Sequence, residues 1–572
     1  MAKKIKGIGA SSGIALAKVY ILDEHPIVIP TSKAKDVKEE LTNITESIAK
    51  AKKDLENLQM IAKEKLGEEK AAIFEAHASI LEDPAMAEEF TALVNDKNYN
   101  AASAIHEVAN KYIEMFGSMD DDYFKERAAD IKDVTERLIR YVLKLPVLDL
   151  AAISEEVIII AEDLTPSQTA QLNPTFVKGF ACNVGGRTSH AAIMARSLEI
   201  PAVLGLKTVL KDVKEGDTIA IDGVTGEVEI NPSNKDEWND KAKKFLEEKA
   251  ELEQFRTKKT VTKDGYDKFI LEGNIGSPKD VAAVLENGGE GVGLFRSEFL
   301  YMDNDHFPTE EEQFEAYKKV VTDMNGKLTV IRTLDIGGDK KLSYFKFPEE
   351  MNPFLGYRAI RFTLDRKDIF KEQIRALLRA SAFGPVGIMF PMIATVDEFL
   401  AAKNFTLDCK AELEKEGVKV GKDLEIGMMV EIPAAAVNAD NFAKHADFFS
   451  VGTNDLIQYS MAADRMSENV TYLYQPFNPS ILRLLKLTID GAHKHGRWAG
   501  MCGEMAGEPD AVPLLMGLGL DAYSMSATSI LKARSIMSKL TLKETQELVA
   551  KALECETSEQ VLKLVHDLMK DK

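Results

Sequence analysis

The chain has few of the residues that define disulfide-rich, zinc-binding or membrane proteins. Its 572 residues include four cysteines, widely spaced and without a CxxC pair: Cys182, Cys409, Cys502 and Cys555. That spacing argues against a disulfide framework and against a zinc motif. No apolar run is long enough to cross a bilayer, and the opening MAKKIKGIG has no secretory apolar segment. These absences predict a protein of the reducing cytoplasm, without membrane insertion.

The sequence also lacks an excess of positive charge. Its 72 Lys and Arg residues are outnumbered by 92 Asp and Glu residues, so the net charge is -20. A chain of this charge repels nucleic-acid phosphates, and we expect no nucleic-acid partner. The expected partners are small anions bound at local sites, or other proteins.

The length predicts two to four domains, and the composition changes along the chain. Residues 1–22 and 148–232 contain short β-branched runs between glycines, which predicts one small α/β domain. Residues 34–143 are rich in Glu, Lys, Ala and Leu at helical spacing, which predicts an inserted bundle of about four helices. Residues 233–262 have no Gly or Pro and carry dense mixed charge, as is typical of a helical linker. Residues 263–572 form the last segment.

The stretch GIGASSG near the start resembles a dinucleotide-binding loop only superficially. Gly7, Gly9 and Gly13 do not have the GxGxxG spacing, and no strand-turn-helix pattern surrounds them. We therefore interpret this stretch as a tight hairpin.

Eight short apolar runs occur in residues 263–572: FILEGNI, GVGLFRSE, LTVIRTLD, VGIMFPMI, IGMMVEI, FFSVGTND, WAGMCGE and DAYSMS. Helical patterns separate most of them, so the segment is predicted to be a TIM-like (β/α)8 barrel. In nearly every run the polar residue comes last, at the end of the strand where barrel enzymes have their active sites. These residues are Asn274, Arg296, Arg332, Glu431, Asn454, Asp455, Cys502 and Ser524.

The charged residues at these strand ends predict a polyanion site. Arg296 and Arg332, with Arg358 and Arg465 on nearby loops, supply guanidinium groups that suit phosphate and carboxylate. The carboxylates at the ends of two successive strands, Glu431 and Asp455, are the usual protein share of a Mg²⁺ site. Taken singly, each group is also compatible with a structural ion pair.

Cys502 ends a buried strand, just before Gly503-Glu504. Most free cysteines are small buried hydrophobic residues, and that interpretation stays open here. A thiol is mostly protonated at neutral pH, so this residue could instead donate a proton to an enolate.

His190 follows GGRTS and begins the helical pattern HAAIMARSLEI. Gly185-Gly186 permits close backbone approach, and Thr188 or Ser189 can cap the helix. Free N–H groups and the helix dipole disfavour an imidazolium at this position and favour an attached anion. The position therefore suits a histidine that accepts a phosphoryl group, although a capping or packing histidine is the alternative. The other histidines lack this setting, and His77 is expected on a helix surface.

Several long motifs resemble those of the phosphoenolpyruvate-protein phosphotransferases, the Enzyme I family of the bacterial sugar phosphotransferase system. They occur in the order of that family and run through essentially the whole chain: GGRTSHAAIMARSLEIPAVLG, GGEGVGLFRSEFLYMD, PTEEEQF, IRTLDIGGDK, NPFLGYRAIR, MVEIPAA, FFSVGTNDLIQYSMAADR and MCGEMAG. Ser297 stands where threonine is common in the family and keeps the hydroxyl.

The resemblance implies a role for each matching residue. His190 is implied to be the phosphorylated histidine, and Cys502 to protonate the enolate of pyruvate. Implied ligands of phosphoenolpyruvate are Arg296, Arg332, Asn454 and Arg465. Glu431 and Asp455 are implied to hold Mg²⁺, and Thr169, in LTPSQTAQL, to bond the histidine ring.

The resemblance also implies partners and a reaction. The phosphoryl group of phosphoenolpyruvate would pass to His190 and then to a histidine of the phosphocarrier protein HPr, with release of pyruvate, as the first step of sugar uptake. Residues 34–143 would dock HPr, and residues 263–572 would join two chains into a homodimer. The charged linker would permit a swivel of the histidine domain.

Two other functions share some of these sequence features. Dikinases and phosphoenolpyruvate synthases share a mobile histidine domain and a barrel, but they need an ATP-binding domain for which 572 residues leave no room, and no GxxxxGK(S/T) loop is present. A regulatory protein could carry the histidine only as a signal. The intact set of arginines, carboxylates and thiol argues against that alternative.

Overall fold

The structure is a computed structural model that describes most of the chain: residues 2–22, 27–66, 68–117, 122–145, 150, 153–186, 189–302, 304–338, 340, 342–465, 467–570 and 572. The chain divides into two compact units, residues 1–248 and 249–572. The division falls inside the segment 233–262, which the composition marks as a linker.

The first unit contains a mixed sheet of eight strands among the described residues: β1 (Lys3–Lys6), β2 (Ile8–Ser11), β3 (Ile14–Ile21), β4 (Val157–Ala161), β5 (Val177–Cys182), β6 (Ala202–Leu204), β7 (Thr218–Asp222) and β8 (Glu227–Ile230). Their order is β1-β8-β7-β3-β4-β5-β6-β2. The four central strands β3 to β6 are parallel, and the other pairs are antiparallel. Both halves of the interrupted α/β segment thus contribute to one sheet.

Strand β4 shows why this sheet is buried on both faces. Its sequence VIIIA is entirely apolar, and side chains alternate between the faces of a strand. Ile159 packs in one apolar cluster, whereas Ile158 and Ile160 pack in the cluster on the other face. Three short helices accompany the sheet: α6 (Pro166–Gln171), α7 (His190–Ser197) and α8 (Val209–Asp212).

The hairpin predicted for GIGASSG is wrong. β2 pairs with β6 at one edge of the sheet, and β3 pairs with β4 and β7 near its centre. The glycines serve close backbone approach instead, because a Cβ at Gly9 would lie 2.5 Å from the carbonyl oxygen of Gly223. Pairing with distant strands therefore replaces pairing with the neighbour in sequence.

The inserted helical segment contains five helices among the described residues, one more than predicted: α1 (Val37–Leu66), α2 (Glu68–Leu81), α3 (Pro84–Lys97), α4 (Ala101–Gly117) and α5 (Asp122–Val142). Asp83 caps α3 by accepting hydrogen bonds from the N–H groups of Ala85 and Met86, and Pro84 occupies the first turn. The helices share an apolar core that includes Phe74, Phe90 and Ile105.

The expectation that His77 lies on a helix surface is wrong. The side chain is fully buried between α2 and α5, with Nε2 3.0 Å from Oδ1 of Asp130. Its Nδ1 lies 3.7 Å from Oδ2 of Asp133. Packing of α5 against α2 brings these two carboxylates inside the bundle, which the local sequence around His77 does not reveal.

Helix α9 (Lys235–Glu253) occupies most of the predicted linker. Its charged residues are exposed, and Trp238 is its one buried residue among those described. Within the described ranges, no helix of either unit is long and apolar enough to cross a membrane.

The second unit is a closed barrel of eight parallel strands, as predicted. The strands are β9 (Ile270–Ile275), β10 (Val292–Arg296), β11 (Thr329–Arg332), β12 (Val386–Phe390), β13 (Leu424–Val430), β14 (Phe448–Val451), β15 (Trp498–Met501) and β16 (Ala522–Met525). Each pairs with the next, and β16 closes the barrel on β9. All eight predicted apolar runs form these strands.

Helices surround the barrel and connect its strands: α10 (Val281–Glu286), α11 (Glu298–Met302), α12 (Glu310–Asp323), α13 (Ile360–Asp365), α14 (Lys367–Ala380), α15 (Val396–Lys415), α16 (Pro433–Val437), α17 (Ala439–Phe442), α18 (Thr453–Met461), α19 (Pro479–His493), α20 (Val512–Leu518), α21 (Ile530–Lys539), α22 (Leu542–Ala552) and α23 (Ser558–Met569). One face of each strand packs on these helices, and the other faces the barrel interior. Leu294, Val330, Met389, Met429 and Phe448 form the interior apolar cluster.

A glutamate, Glu272, also lies on the barrel strand β9. It is 3 % exposed, and burial, followed by repulsion from Glu290 and Glu425, raises its pKa to about 8. Its carboxyl therefore holds a proton in the folded chain over a pH range in which an unfolded glutamate has lost it.

Replacing Glu272 by Gln is expected to stabilise the barrel above neutral pH. Between pH 4.5 and about 8 the folded chain holds a proton that the unfolded chain releases, so wild-type stability falls as the pH rises through that window. Gln has no such proton, and the gain is on the order of 2 to 4 kcal/mol at pH 8. Urea unfolding at pH 5 and pH 8 measures it.

The control is Glu547→Gln, at an exposed ion pair with Lys543. This variant should follow the wild type at both pH values. A stability difference for Glu272→Gln that does not grow between pH 5 and pH 8 would show that the buried carboxyl is not the cause.

Candidate active site

A cleft of about 720 Å³ opens at the carboxyl ends of the barrel strands. Seven of the residues predicted from the sequence line it, Asn454 among them; the other six are Arg296, Arg332, Glu431, Asp455, Arg465 and Cys502. Parallel strands all end at the same rim, which is why residues more than 200 positions apart in sequence meet there.

Arg332 is held rigidly at the end of β11. Its Nη2 lies 2.5 Å from Oε1 of Glu298 and 3.1 Å from Oδ2 of Asp335. Lys340 binds the same two carboxylates, at 2.8 Å and 2.9 Å. Burial opposes ionisation of Asp335, but Lys340, Arg332 and Arg358 outweigh it and hold the pKa of that carboxyl well below its usual range. The network keeps opposite charges together in a buried place.

Arg358 links this network to the opposite side of the cleft. Its Nη2 donates to Oδ1 of Asp335 at 3.0 Å, and its Nη1 lies 3.6 Å from Oδ1 of Asp455. Tyr459 accepts a further hydrogen bond from Nη1 at 3.1 Å. The guanidinium is almost fully buried and therefore positions carboxylates around the cleft.

Arg296 and Arg465 differ from the buried arginines. Both line the cleft, and no carboxylate of the described residues forms an ion pair with either guanidinium. The backbone of Arg465 is fixed, because its N–H donates to Oε1 of Gln458 at 3.0 Å. These two groups can each offer a paired set of N–H donors to an anionic ligand.

Glu431 and Asp455 form the acidic side of the cleft. Glu431 follows β13, and its Oε1 accepts the N–H of Met392 at 2.6 Å. Asp455 lies in the first turn of α18. Burial, followed by repulsion from Asp455 and Asp335, raises the pKa of Glu431 to about 8. A cation near these carboxylates would relieve that repulsion.

The two carboxylates fit a magnesium ion. Oδ1 of Asp455 is buried and accepts no hydrogen bond from a described residue. Mg²⁺ takes oxygen ligands, commonly one or two carboxylates plus water and substrate oxygens. No cluster of three or more metal-binding side chains occurs in the described part of the chain, so water and substrate oxygens would have to complete the shell of such an ion.

Cys502 lies at the end of β15, on the wall of the cleft. Its Sγ is 3.8 Å from the carbonyl oxygen of Val451, and burial raises the pKa of the thiol to about 11. Asn274 donates to the carbonyl oxygen of Cys502 at 3.0 Å, and Ser524 donates to the amide oxygen of Asn274 at 2.6 Å. The thiol is thus held in place and stays protonated at neutral pH.

Asn454 is positioned by an aromatic neighbour. The hydroxyl of Tyr474 donates to Oδ1 of Asn454 at 3.3 Å, and both residues line the cleft. The amide NH₂ of Asn454 donates to no described residue, so its two donors can bind a ligand.

His190 begins α7 in the first unit. Ser189 is the N-cap, and its Oγ accepts the N–H of Ala192 at 3.4 Å and donates to the carbonyl oxygen of Gly186 at 2.9 Å. The side chains of Ala191 and Ala195 are buried in an apolar cluster of the α/β domain. Arg187, Thr188 and the side chain of His190 lie outside the described part of the structure.

Thr169 lies on α6, which packs against α7. It is fully buried, and its Oγ1 donates to the carbonyl oxygen of Thr165 at 2.8 Å. The hydroxyl proton is therefore used within α6, and the lone pairs of the oxygen remain as acceptors.

The sequence interpretation missed three members of the charge network: Glu298, Asp335 and Lys340. Each stands a few residues after a predicted arginine or inside the same motif, in FRSEF and IRTLDIGGDK. A buried arginine needs a carboxylate partner, and that requirement was the available signal.

Three family models match the chain. The PEP-binding domain of PEP-utilising enzymes matches residues 249–542, and their N-terminal domain matches residues 6–127. Their mobile domain matches residues 153–226. The barrel cleft and His190 thus fall in different matched domains.

Bacterial proteins named phosphoenolpyruvate-protein phosphotransferase are similar to the whole chain. The protein of Mycoplasma capricolum is 61% identical over 571 residues, 100% of this chain and 99% of that protein. The protein of Latilactobacillus sakei is 55% identical and that of Staphylococcus carnosus is 53% identical, each over 573 residues. Each comparison covers 100% of this chain and 100% of the relative. With the PEP-binding model covering more than half of the residues, these identities show that the chain belongs to the phosphoenolpyruvate-protein phosphotransferase family of PEP-utilising enzymes.

Proposed function

We propose that this chain transfers the phosphoryl group of phosphoenolpyruvate to its own His190 and then to a histidine of the phosphocarrier protein HPr, releasing pyruvate. This is the first step of sugar uptake by the phosphotransferase system, and it takes place in the cytoplasm. The observation that carries the proposal is the barrel cleft, in which two arginines without an ion-pair partner among the described residues, two carboxylates and a protonated thiol line one space.

Phosphoenolpyruvate carries a phosphate and a carboxylate, and the cleft offers donors for both. Arg296 and Arg465 have no carboxylate partner among the described residues, so they bind the substrate without first breaking an ion pair. Arg332, fixed by Glu298 and Asp335, adds a guanidinium whose position is already set. Preset donors stabilise the negative charge that spreads over the moving phosphoryl group.

Glu431 and Asp455 would hold Mg²⁺. When bound, the ion neutralises charge on the phosphate oxygens and leaves the protein carboxylates ionised. The raised pKa of Glu431 supports this placement, because it arises first from burial and then from repulsion by Asp455, which a bound cation would relieve.

The chemical step moves one phosphoryl group and one proton. A ring nitrogen of His190 forms the new N–P bond, and the bond between phosphorus and the enol oxygen breaks. The electrons left on that oxygen form the enolate of pyruvate, and the thiol of Cys502 donates its proton to the methylene carbon. Cys502 suits this role because its pKa, raised to about 11, keeps the proton on sulfur until the enolate forms.

His190 suits the acceptor role because of its place in α7. At the start of a helix, unpaired backbone N–H groups stabilise an attached dianion and disfavour the imidazolium that cannot attack. Thr169, on the neighbouring α6, is proposed to orient the imidazole through its free lone pairs. The histidine domain is proposed to swivel about the charged segment 233–262 between the barrel and HPr.

The helical segment 34–143 is proposed as the HPr docking surface, and the barrel segment 263–572 as the region that joins a homodimer. Support comes from the family membership and from the apolar core that the five helices share with Ala170 of α6 and Met194 of α7, which places the helical segment beside the helix that His190 begins.

Incubation with labelled phosphoenolpyruvate and Mg²⁺ is expected to give an acid-labile phosphoryl group on the peptide that contains residues 185–205. His190→Ala should take up no label and remain folded. Mass mapping of the peptides identifies the site, and label on another residue would contradict the proposal. An ATP-dependent exchange with pyruvate would instead favour a dikinase.

Cys502→Ala is expected to slow labelling from phosphoenolpyruvate by roughly a hundredfold or more, because a positioned general acid typically contributes that much. Its thermal midpoint should stay close to that of the wild type, because only a small buried thiol is removed. Transfer from already phosphorylated enzyme to HPr should be unchanged, since that step forms no enolate. Wild-type labelling rates in Cys502→Ala would remove the proposed role.

Arg465→Ala is expected to raise KM for phosphoenolpyruvate roughly tenfold or more without loss of stability, because the guanidinium has no ion-pair partner among the described residues. Arg332→Ala is the contrasting variant: it leaves Glu298 and Asp335 buried with fewer partners, at a cost of about 2 kcal/mol or more. Steady-state kinetics and urea unfolding of both variants measure the difference. Equal loss of stability in the two variants would contradict the assignment.

A further inference from the structure

A second cleft, of about 550 Å³, opens at the opposite end of the barrel, where the strands begin. It is distant from the phosphoenolpyruvate cleft along the strands, and the proposed reaction uses none of its residues. Its walls combine apolar side chains, among them Ile270, Leu328 and Leu424, with the carboxylates of Glu272 and Glu425. Concave spaces of this size with a few convergent polar groups are typical of small-ligand sites.

Glu272 is the residue that needs explanation. It lines this cleft, is 3 % exposed, and has no hydrogen bond or ion pair with any residue that the structure describes. Its carboxylate lies over two glycines of β10, and a Cβ at Gly291 would fall 2.7 Å from Oε1. Gly293 leaves similar space beside Oε2. Buried polar groups in proteins are normally hydrogen-bonded, so this carboxyl group is placed for a partner that the described residues do not supply.

Two neighbouring acidic side chains, Asp521 and Glu425, already accept hydrogen bonds. Oδ2 of Asp521 lies 2.8 Å from Nε2 of His493 and accepts the N–H of Ala499 at 2.8 Å. Oε2 of Glu425 accepts the indole N–H of Trp498 at 3.1 Å. Acceptors without a donor among the described residues include both oxygens of Glu272 and Oε1 of Glu425.

We propose that this cleft binds a small organic cation with a primary ammonium group. The ammonium donates to Glu272 and Glu425, and the apolar part of the ligand lies against Ile270, Leu328 and Leu424. An ammonium has three donors and no acceptor, which matches a set of acceptors that have no donors.

The charge of the residues that line the cleft argues against an anionic ligand. The cleft has four acidic side chains, Glu272, Asp423, Glu425 and Asp521, against the single cation Lys268. An anion would be repelled. A bare metal ion would leave the apolar wall of the cleft uncovered, whereas the carbon skeleton of an organic cation covers it.

The same charges predict how binding depends on pH. The groups that face Glu272 are Glu290, Glu425, Asp423, Asp521 and Lys268. Burial and then Glu290 and Glu425 raise the pKa of Glu272 to about 8, so its carboxyl must lose a proton before it pairs with an ammonium. Affinity for a cation that stays charged should therefore rise from pH 6 to pH 8.

Titration with benzylamine tests the proposal, with benzyl alcohol as the neutral ligand of similar shape. Trp498 lines the cleft and reports binding by fluorescence in a full-length chain that carries Trp238→Phe, which removes the other tryptophan. Benzylamine should quench or shift this signal with an affinity roughly tenfold or more above that of benzyl alcohol at pH 8.

Glu272→Gln keeps the shape of the side chain and is expected to be more stable than the wild type. It should lose roughly tenfold or more of the benzylamine affinity and also lose the rise from pH 6 to pH 8. Glu547→Gln, remote from the cleft, should bind as the wild type does, and labelling of His190 should be unaffected in both variants. The proposal is overturned if benzylamine binds no better than benzyl alcohol, or if Glu272→Gln binds it equally well.

Discussion

Pairing of β16 with β9 closes the parallel barrel, and most of the chemistry in this chain depends on that closure. Because all eight strands run the same way, every strand end that carries a charged or polar residue reaches one rim. The rim then contains more charge than a protein interior normally tolerates. The network of Arg332, Glu298, Asp335 and Lys340 makes this possible, since each buried charge there contacts at least one of opposite sign.

The cleft divides its arginines into two groups by their partners. Arg332 and Arg358 are committed to carboxylates and hold the framework, whereas Arg296 and Arg465 remain available for a ligand. A site made only of committed arginines would be rigid but would have to break ion pairs to bind an anion. In a site made only of arginines without carboxylate partners, the guanidinium groups would repel one another. The combination gives a preset cavity with free donors.

The two ends of the barrel show one physical effect with different consequences. Glu431 at the carboxyl end and Glu272 at the amino end both have a pKa raised to about 8, in each case first by burial and then by neighbouring carboxylates. Arg332 and Arg358 oppose the shift at Glu431, whereas Lys268, which lines the cleft of Glu272, forms no ion pair with it. Glu431 therefore lies in a site where positive and negative charges offset each other. Burial of Glu272 lowers the stability of the fold.

The sequence by itself determined the fold class, the order of strands and helices, and the residues that reach the barrel rim. Periodic apolar runs specify strands, and a polar residue at the end of each run marks the rim whatever the exact packing, as with Arg296 and Cys502. Only the tertiary structure decided that β2 lies at the sheet edge away from β3, and that His77 is buried against Asp130. It also decided that Arg332 has two carboxylate partners, whereas Arg465 has none in the described part of the chain. The physical reason is that these outcomes depend on contacts between segments far apart in sequence, such as Arg358 with Asp455, and local periodicity contains no information about them.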